Sequence, residues 1–385
     1  MDQIDEILTR RVANVLPTKD GLKKLMQSKK IRLYQGFDPT GGRLHLGHSV
    51  GIRKLMDFAN AGHEVIFLFG TGTVLVGDPS QRDTGRKLIT QEEIDENIKD
   101  WKNQVSPLVD FSKVTIKQNG DWLTKLDLKG IVQIASKISS VQLFKRESFQ
   151  RRIKKGDTVW YHETMYPLLQ GYDSVAMDVD LEIGGTDQEF NMLVGRELMR
   201  KMLDKEKYVL TTPMIVGTDG HQMSKSTGNC VWLNDTPDDM FGKLMGLPDS
   251  EIGTYLEMTT NIPMDEVNDI KNALEKNELH PLEAKKLLAV AVVSELHSPE
   301  KAKEAQEHFE KTFQKGEAEF NQEVVNAGNL VKTLSTLDGM SGTQVKRLLE
   351  QKAVEVNGET VTDPGFELKG GEKVKVGKRI FVTIK

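Results

Sequence analysis

From about Ile31 to Leu233, short runs of β-branched and aromatic residues alternate with stretches of helical period. Ile31–Tyr34, Val65–Phe69, Val114–Lys117, Val179–Ile183 and Val209–Leu210 read as strands, with Ile52–Ala61, Gln91–Val105 and Gln188–Met202 as helices between them. This alternation predicts an α/β fold with a Rossmann-like, doubly wound parallel sheet, whose ligands belong at the strand carboxyl ends. From Thr236 to about Lys315 the pattern turns helical. Thr236-Pro237-Asp238-Asp239, Pro263-Met264-Asp265-Glu266, His280-Pro281-Leu282-Glu283 and Ser298-Pro299-Glu300 each place proline and acids in a first turn, where a missing N–H costs nothing and negative charge meets the helix dipole. Past Asn326–Asn329 the pattern changes again. Ser341–Glu350 reads as a short helix, Val354–Gly358 and Lys373–Lys385 as β-like runs, and Asn357-Gly358 as a hairpin turn. Three domains are therefore expected, over residues 1–234, 235–325 and 326–385, the second α-helical and the third a small α+β module.

Composition narrows the class. At 385 residues the chain exceeds one typical core. A formal net charge of −5 carries no global nucleic-acid signature, so any RNA contact has to be made by local patches. Two candidates stand out. Val331–Lys385 holds ten Lys and Arg against seven Asp and Glu, and Lys145–Lys155 holds six against one. The apolar run Leu287–Val293 is far too short to span a membrane, and the N-terminus is charged where a signal peptide would be apolar. The single cysteine, Cys230, excludes an intrachain disulfide and a cysteine-rich zinc site; it fits a reducing cytoplasm and reads as a small packing residue.

Candidate chemistry begins at His45-Leu46-Gly47-His48, directly after Tyr34-Gln35-Gly36-Phe37-Asp38-Pro39-Thr40. With a strand before it, a turn over Asp38–Gly42 and a helix from Leu46, the two histidines lie one turn apart on one face. Free N–H groups at a helix start favour anions, imidazoles donate to phosphate oxygens, and Gly47 leaves room for a flat base against the backbone. With 8 His and 33 Gly in the chain, random placement gives about 0.014 occurrences of His-x-Gly-His. The second motif, Asp219-Gly220-His221-Gln222-Met223-Ser224-Lys225-Ser226-Thr227-Gly228-Asn229, describes a loop able to close over a triphosphate, with Lys225 as a point charge for a leaving pyrophosphate.

The two motifs in this order resemble the class I aminoacyl-tRNA synthetases. Tyr166-Pro167-Leu168-Leu169-Gln170-Gly171-Tyr172-Asp173, Gly184-Gly185-Thr186-Asp187-Gln188-Glu189-Phe190-Asn191 and Gly77-Asp78-Pro79-Ser80 extend the resemblance to the bacterial tyrosyl enzymes over nearly the whole chain. It implies tyrosine activation by ATP, with accompanying Mg2+, to tyrosyl-adenylate and pyrophosphate, then transfer to the 3' end of tRNA(Tyr). No protein-bound metal or organic cofactor is expected. An ionised carboxylate attacks phosphorus without a general base, so position and electrostatic stabilisation supply the catalysis.

The resemblance assigns Thr40, His45 and His48 to the transferring phosphates, and Lys225, Arg82 and Arg86 to pyrophosphate. It puts Gly36, Asp38, Gly47, Gly185, Asp187, Met214, Ile215, Met223, Ser224 and Ser226 around the nucleotide. Tyr34 and Asp173 fall at the substrate's phenol hydroxyl, with Asp78, Tyr166, Gln170 and Gln188 at its ammonium and backbone; Asn119 is a further pocket candidate. The helical domain and the C-terminal module, which is similar to the S4 RNA-binding fold, are expected to bind tRNA, with acceptor-arm contacts near Lys145–Lys155. A cytoplasmic homodimer is implied, with apolar positions from Ile131 to Phe144 available as its interface. Two departures stand against the family pattern: Gln222 replaces a lysine, and Gln81 a glycine.

Overall fold

The computed structural model describes residues 2–78, 89–223, 228–314, 320, 322–337, 340–377 and 380–385. Arg82, Arg86, Ser224, Lys225, Ser226 and Gln81 lie outside them.

Six strands form the main sheet: β1 (Asn14–Leu16), β2 (Arg32–Phe37), β3 (Glu64–Phe69), β4 (Val114–Gln118), β5 (Leu181–Gly185) and β6 (Tyr208–Thr212), in the order β1-β6-β5-β2-β3-β4. β2 to β6 are parallel, as the alternating pattern predicts. β1 departs from that expectation. It adds an antiparallel edge strand against β6, and three residues without alternation give no period to read. From β2 the chain winds outward to β3 and β4, then returns to the other side of β2 for β5 and β6. The reversal lies between β2 and β5, where a doubly wound sheet opens a crevice beyond the strand ends. β3 is buried at every position after Glu64, which accounts for its continuous apolar run Val65–Phe69.

Helices Leu46–Asn60, Gln91–Val105 and Glu189–Leu203 follow β2, β3 and β5. Beyond the sheet come Pro237–Met245, Ile252–Thr259, Met264–Glu275, Pro281–Leu296 and Pro299–Phe309. The four starts read from proline and acids are all present, with Thr236, Pro263, His280 and Ser298 as their N-caps. Ile252–Thr259 is the helix that reading omits. These helices share one continuous apolar core with the sheet, from Ile7 through Phe67 to Ala305.

Buried cations hold that junction. Arg10 and Arg11 donate to the carbonyls of Glu257, Met258 and Thr260 at the end of Ile252–Thr259, where the helix dipole is negative. Arg53 makes a two-pronged pair with Glu295, at 2.7 and 2.8 Å. Burial lowers the Lys54 ammonium to about 8, against the attraction of Asp57.

The C-terminal module has a core of its own, from Val324 to Ile384. Its sheet runs β7 (Gln322–Val324), β11 (Ile380–Ile384), β10 (Lys373–Val376), β8 (Val354–Val356), β9 (Glu359–Thr360), and Gly342–Glu350 is capped by a reciprocal Ser341–Gln344 box. Asn357 and Gly358 take φ of 50° and 87°, the hairpin turn their identities predict.

Candidate active site

Helix Gln91–Val105 fixes the first motif from outside. Asn97, Trp101 and Gln104, one face at i, i+4, i+7, donate to the carbonyls of Pro39, Gly41 and Gly42 at 2.9, 2.6 and 2.5 Å. The loop so held delivers His45 to the N-cap of Leu46–Asn60. His48 lies one turn on, the two rings 3.9 Å apart. The backbone N–H of His45 donates to His48 Nδ1 at 3.1 Å, which places the proton of a neutral His48 on Nε2 as a donor. A side chain at Gly47 would come within 2.9 Å of the His45 ring, so glycine there makes room for imidazole as well as for a ligand. The second motif is stitched to the first at its far end, where Leu46 N donates to Val231 O at 2.9 Å and Leu233 N to Leu44 O at 2.8 Å.

Both motifs open on a cavity of about 340 Å³ at the carboxyl ends of β2 and β5. Every predicted site residue among the described ones lines it: Tyr34, Gly36, Asp38, Thr40, His45, Gly47, His48, Asp78, Tyr166, Gln170, Asp173, Gly185, Asp187, Gln188, Met214, Ile215 and Met223. Three of them come from a helix that the pattern does not reveal. Tyr161–Met177 carries Pro167 in its interior, yet presents Tyr166, Gln170 and Asp173 at i, i+4, i+7.

Polar contacts tie this wall together. Tyr166 donates to Asp38 Oδ2 at 2.9 Å, and Thr73 to Asp38 Oδ1 at 2.7 Å. Gln188 Nε2 donates to Asp78 at 2.9 Å, and Arg146 reaches the other Asp78 oxygen at 3.3 Å. Asn191 donates to the side-chain oxygens of both Gln170 and Gln188, at 2.9 Å each. Deeper in, Asp173 accepts from Asn119 Nδ2 at 3.0 Å and Trp122 Nε1 at 2.8 Å. Burial pushes its carboxyl well above the usual range, against the two donors, which favour the anion. Burial also raises the phenols of Tyr34 and Tyr166 well above their usual range, helped by neighbouring carboxylates. The arrangement suits two ligand parts: carboxylates Asp38, Asp78 and Asp173 for an ammonium and a hydroxyl, and the histidines with a helix start for phosphates.

Sequence reasoning assigned no role to Asn191, Thr73, Trp122 or Glu182, and placed Arg146 only within the basic run Lys145–Lys155. Asn191 was visible as the end of the Gly184–Asn191 motif. The others needed the fold. The basic run Lys145–Lys155 also changes meaning, because Arg146 and Arg152 turn inward to Asp78 and Glu163. Lys145, Arg151, Lys154 and Lys155 remain exposed on its surface. Cys230 is buried, as a packing residue would be.

Residues 26–314 match the family model of class I tRNA synthetases for tryptophan and tyrosine, and residues 329–374 match the S4 domain. The tyrosine--tRNA ligase of Carboxydothermus hydrogenoformans is 39% identical over 98% of this chain and 97% of its own length; that of Aquifex aeolicus is 37% identical over the same shares. Among solved structures, the tyrosyl-tRNA synthetase of Archaeoglobus fulgidus in complex with L-tyrosine superimposes with a TM-score of 0.63. It is 23% identical and covers 79% of this chain and 98% of that one, a likeness of fold. Aligned from end to end with such relatives and carrying both motifs around one cavity, the chain belongs to the class I tRNA synthetase family of the tryptophan and tyrosine enzymes.

Proposed function

We propose that this chain activates L-tyrosine with ATP and transfers it to tRNA(Tyr). The observation that carries the choice of amino acid is the floor of the cavity, where Tyr34 and Asp173 offer a hydroxyl and a carboxyl in a buried setting. A phenol satisfies both. An indole or an unsubstituted ring leaves them unpaired, which costs binding. Asp78, Tyr166, Gln170 and Gln188 hold the substrate's ammonium and backbone. Gly36, Asp38, Gly185, Asp187, Met214, Ile215 and Met223 surround the nucleotide with Ser224 and Ser226, and Thr40, His45, His48, Lys225, Arg82 and Arg86 stabilise the transferring and departing phosphates. Magnesium arrives with ATP.

Residues 1–234 form the catalytic unit and those from 235 a helical tRNA-binding unit, while the RNA-binding module starts a few residues before the expected boundary at 325, since β7 (Gln322–Val324) pairs with β11 and Val324 joins the C-terminal core. Since the C-terminal core is separate and every assigned site residue precedes Thr227, truncation after Phe313 should leave tyrosine-dependent pyrophosphate exchange within about twofold. The truncated chain should charge tRNA more weakly, with a flatter salt dependence as phosphate contacts are lost. Equal charging curves at two salt concentrations for both chains would remove the module from RNA binding. Exchange driven by tryptophan in place of tyrosine would overturn the assignment of the pocket.

The reading includes a cytoplasmic homodimer. Helices Leu128–Ala135 and Ser140–Phe144 turn Ile134 and Leu143 inward with Leu168, joined by Ile138 from the turn between them, while Leu128, Val132, Val141 and Phe144 stay exposed, as do Trp160 and Tyr161. Large apolar side chains facing water in such number suit a second copy of the chain. Sedimentation at micromolar concentration should give twice the chain mass, reduced to one by Val132→Asp with Val141→Asp. A monomeric native protein would refute the dimer.

A further inference from the structure

At the inner edge of the amino-acid pocket, Glu182 of the cavity lining pairs with a lysine behind it, an ion pair that the reaction does not call for. Lys207, just before β6, and Glu182 on β5 have side chains 0% and 1% exposed. The Lys207 ammonium donates to Glu182 Oε2 and, at 3.0 Å, to Ser174 Oγ. Ser174 Oγ lies 2.9 Å from the Tyr34 hydroxyl, and Glu182 Oε1 accepts from the Gln170 amide at 3.0 Å. One buried cation is thus a single residue away from two members of the amino-acid pocket.

The surrounding sequence makes room for it. A side chain at Gly195 would sit 2.7 Å from the Lys207 nitrogen, and one at Gly171 would sit 3.0 Å from the Gly195 backbone. Helices Tyr161–Met177 and Glu189–Leu203 therefore approach at glycines where the ammonium enters. Stability alone gives a weak reason for such a pair, because apolar residues of equal volume commonly replace a buried ion pair at no cost.

Proton direction supplies a better reason. An ammonium can only donate, so Ser174 Oγ accepts from Lys207 and keeps its own proton to give. Glu182 Oε2 is 3.4 Å from Ser174 Oγ, and the Tyr34 oxygen at 2.9 Å is the nearer acceptor. With its oxygen engaged by Ser174, Tyr34 keeps its own proton to give; the Gln170 carbonyl stands 3.5 Å from its hydroxyl, a long contact that a phenol oxygen entering the cavity would better. Asp173, with both oxygens accepting N–H donors, ends the series as an acceptor.

We propose that Lys207 is a specificity-determining positioning residue. It orients the hydrogen-bond chain Lys207 to Ser174 to Tyr34, so that Tyr34 donates to the substrate phenol oxygen while the phenol proton goes to Asp173. Every donor then points from a buried ammonium toward a buried carboxyl, and successive bonds polarise one another. Phenylalanine leaves the chain open at its last link. The proposal rests on the reading that Tyr34 and Asp173 receive the substrate hydroxyl.

Pyrophosphate exchange with tyrosine and with phenylalanine tests it in the native chain, Ser174→Ala, Lys207→Met and the double variant Lys207→Met with Glu182→Gln. Ser174→Ala keeps the ion pair, and the double variant strands no charge, so folding does not decide the result. Each is expected to lower the tyrosine-to-phenylalanine ratio of kcat/KM by about tenfold or more, the loss of one oriented hydrogen bond, through a higher KM for tyrosine at unchanged KM for ATP. A ratio within twofold of native in Ser174→Ala and the double variant would overturn the proposal, as would an equal fall for both amino acids. Absence of tyrosine-dependent exchange in the native chain would instead overturn the reading of the pocket.

Discussion

Replacing Asp173 by alanine is expected to cut kcat/KM for tyrosine by about two to three orders of magnitude and to leave phenylalanine nearly unchanged. A hydrogen bond from the substrate to a charged acceptor contributes about 1.5–3 kcal/mol, and each donor stranded by the deletion adds about 1–3 kcal/mol. Asn119 and Trp122 lose their acceptor already in the free protein, so that cost is one of stability and enters kcat/KM for neither amino acid, whereas the stranded phenol proton belongs to tyrosine alone. The difference between them reports the phenol alone. A parallel fall for both amino acids would make Asp173 a structural residue. The pH profile carries a second signature. The anion is the form that can accept two N–H groups and a phenol proton together, while burial pushes the carboxyl well above its usual range. Activity toward tyrosine should therefore drop as pH falls through that raised value, before ordinary carboxylates titrate. In Asp173→Asn this acid limb should disappear, leaving a lower and flatter profile. An unchanged limb would assign the titration to another group.

How far the sequence carried this site depends on the kind of contact. Local grammar was legible: Gln91–Val105 has the bounds its period predicts, and the proline-led starts at Thr236 and Ser298 cap the helices expected there. The helix Tyr161–Met177 was not, because Pro167 interrupts the pattern and because it is packed on several sides. Its buried residues include Thr164, Tyr166, Leu168, Gly171 and Ser174, so no single apolar stripe marks it. The site residues on it were named from resemblance, and their common face emerges only with the fold.

The pair Glu182 and Lys207 shows a second limit. In the sequence, Glu182 interrupts an apolar run and Lys207 stands in the charged stretch Asp204–Lys207, as a solvated lysine would. Pairing them requires β5 and β6 to be neighbours in register, Leu181 opposite Tyr208 and Glu182 opposite Val209. It also requires two helices that meet at glycine. Sequence distance hides such contacts, and the same holds for Arg146. As part of a basic run it reads as a surface charge for tRNA phosphates, yet it is buried, its guanidinium 5.7 Å from the Phe149 ring and 5.9 Å from the Phe190 ring, with Asp78 as its partner.

Lys225→Ala is expected to slow tyrosyl-adenylate formation by about 10²–10³ while changing the KM for tyrosine little, an effect of the size found when one preorganised charge-stabilising group is removed. The tyrosine wall of the cavity is rich in carboxylates, and the phosphate side among the described residues offers Thr40, His45, His48 and helix N–H groups. In the proposed reading, fixed positive charge for the departing pyrophosphate comes from Lys225, Arg82 and Arg86. The family pattern has a further lysine where this chain has Gln222, whose exposed side chain stands at the cavity. Fewer charges share the load, so the loss of one weighs more. Because negative charge on the leaving group grows toward the transition state, the deficit belongs in kcat. Gln222→Lys supplies the reciprocal test: a charge returned at the mouth of the cavity should raise the rate in the native chain and recover part of it in Lys225→Ala. Single-turnover formation of adenylate, followed with and without each change, separates chemistry from binding. An unaltered rate in Lys225→Ala would take Lys225 out of the mechanism and leave the pyrophosphate to the two arginines.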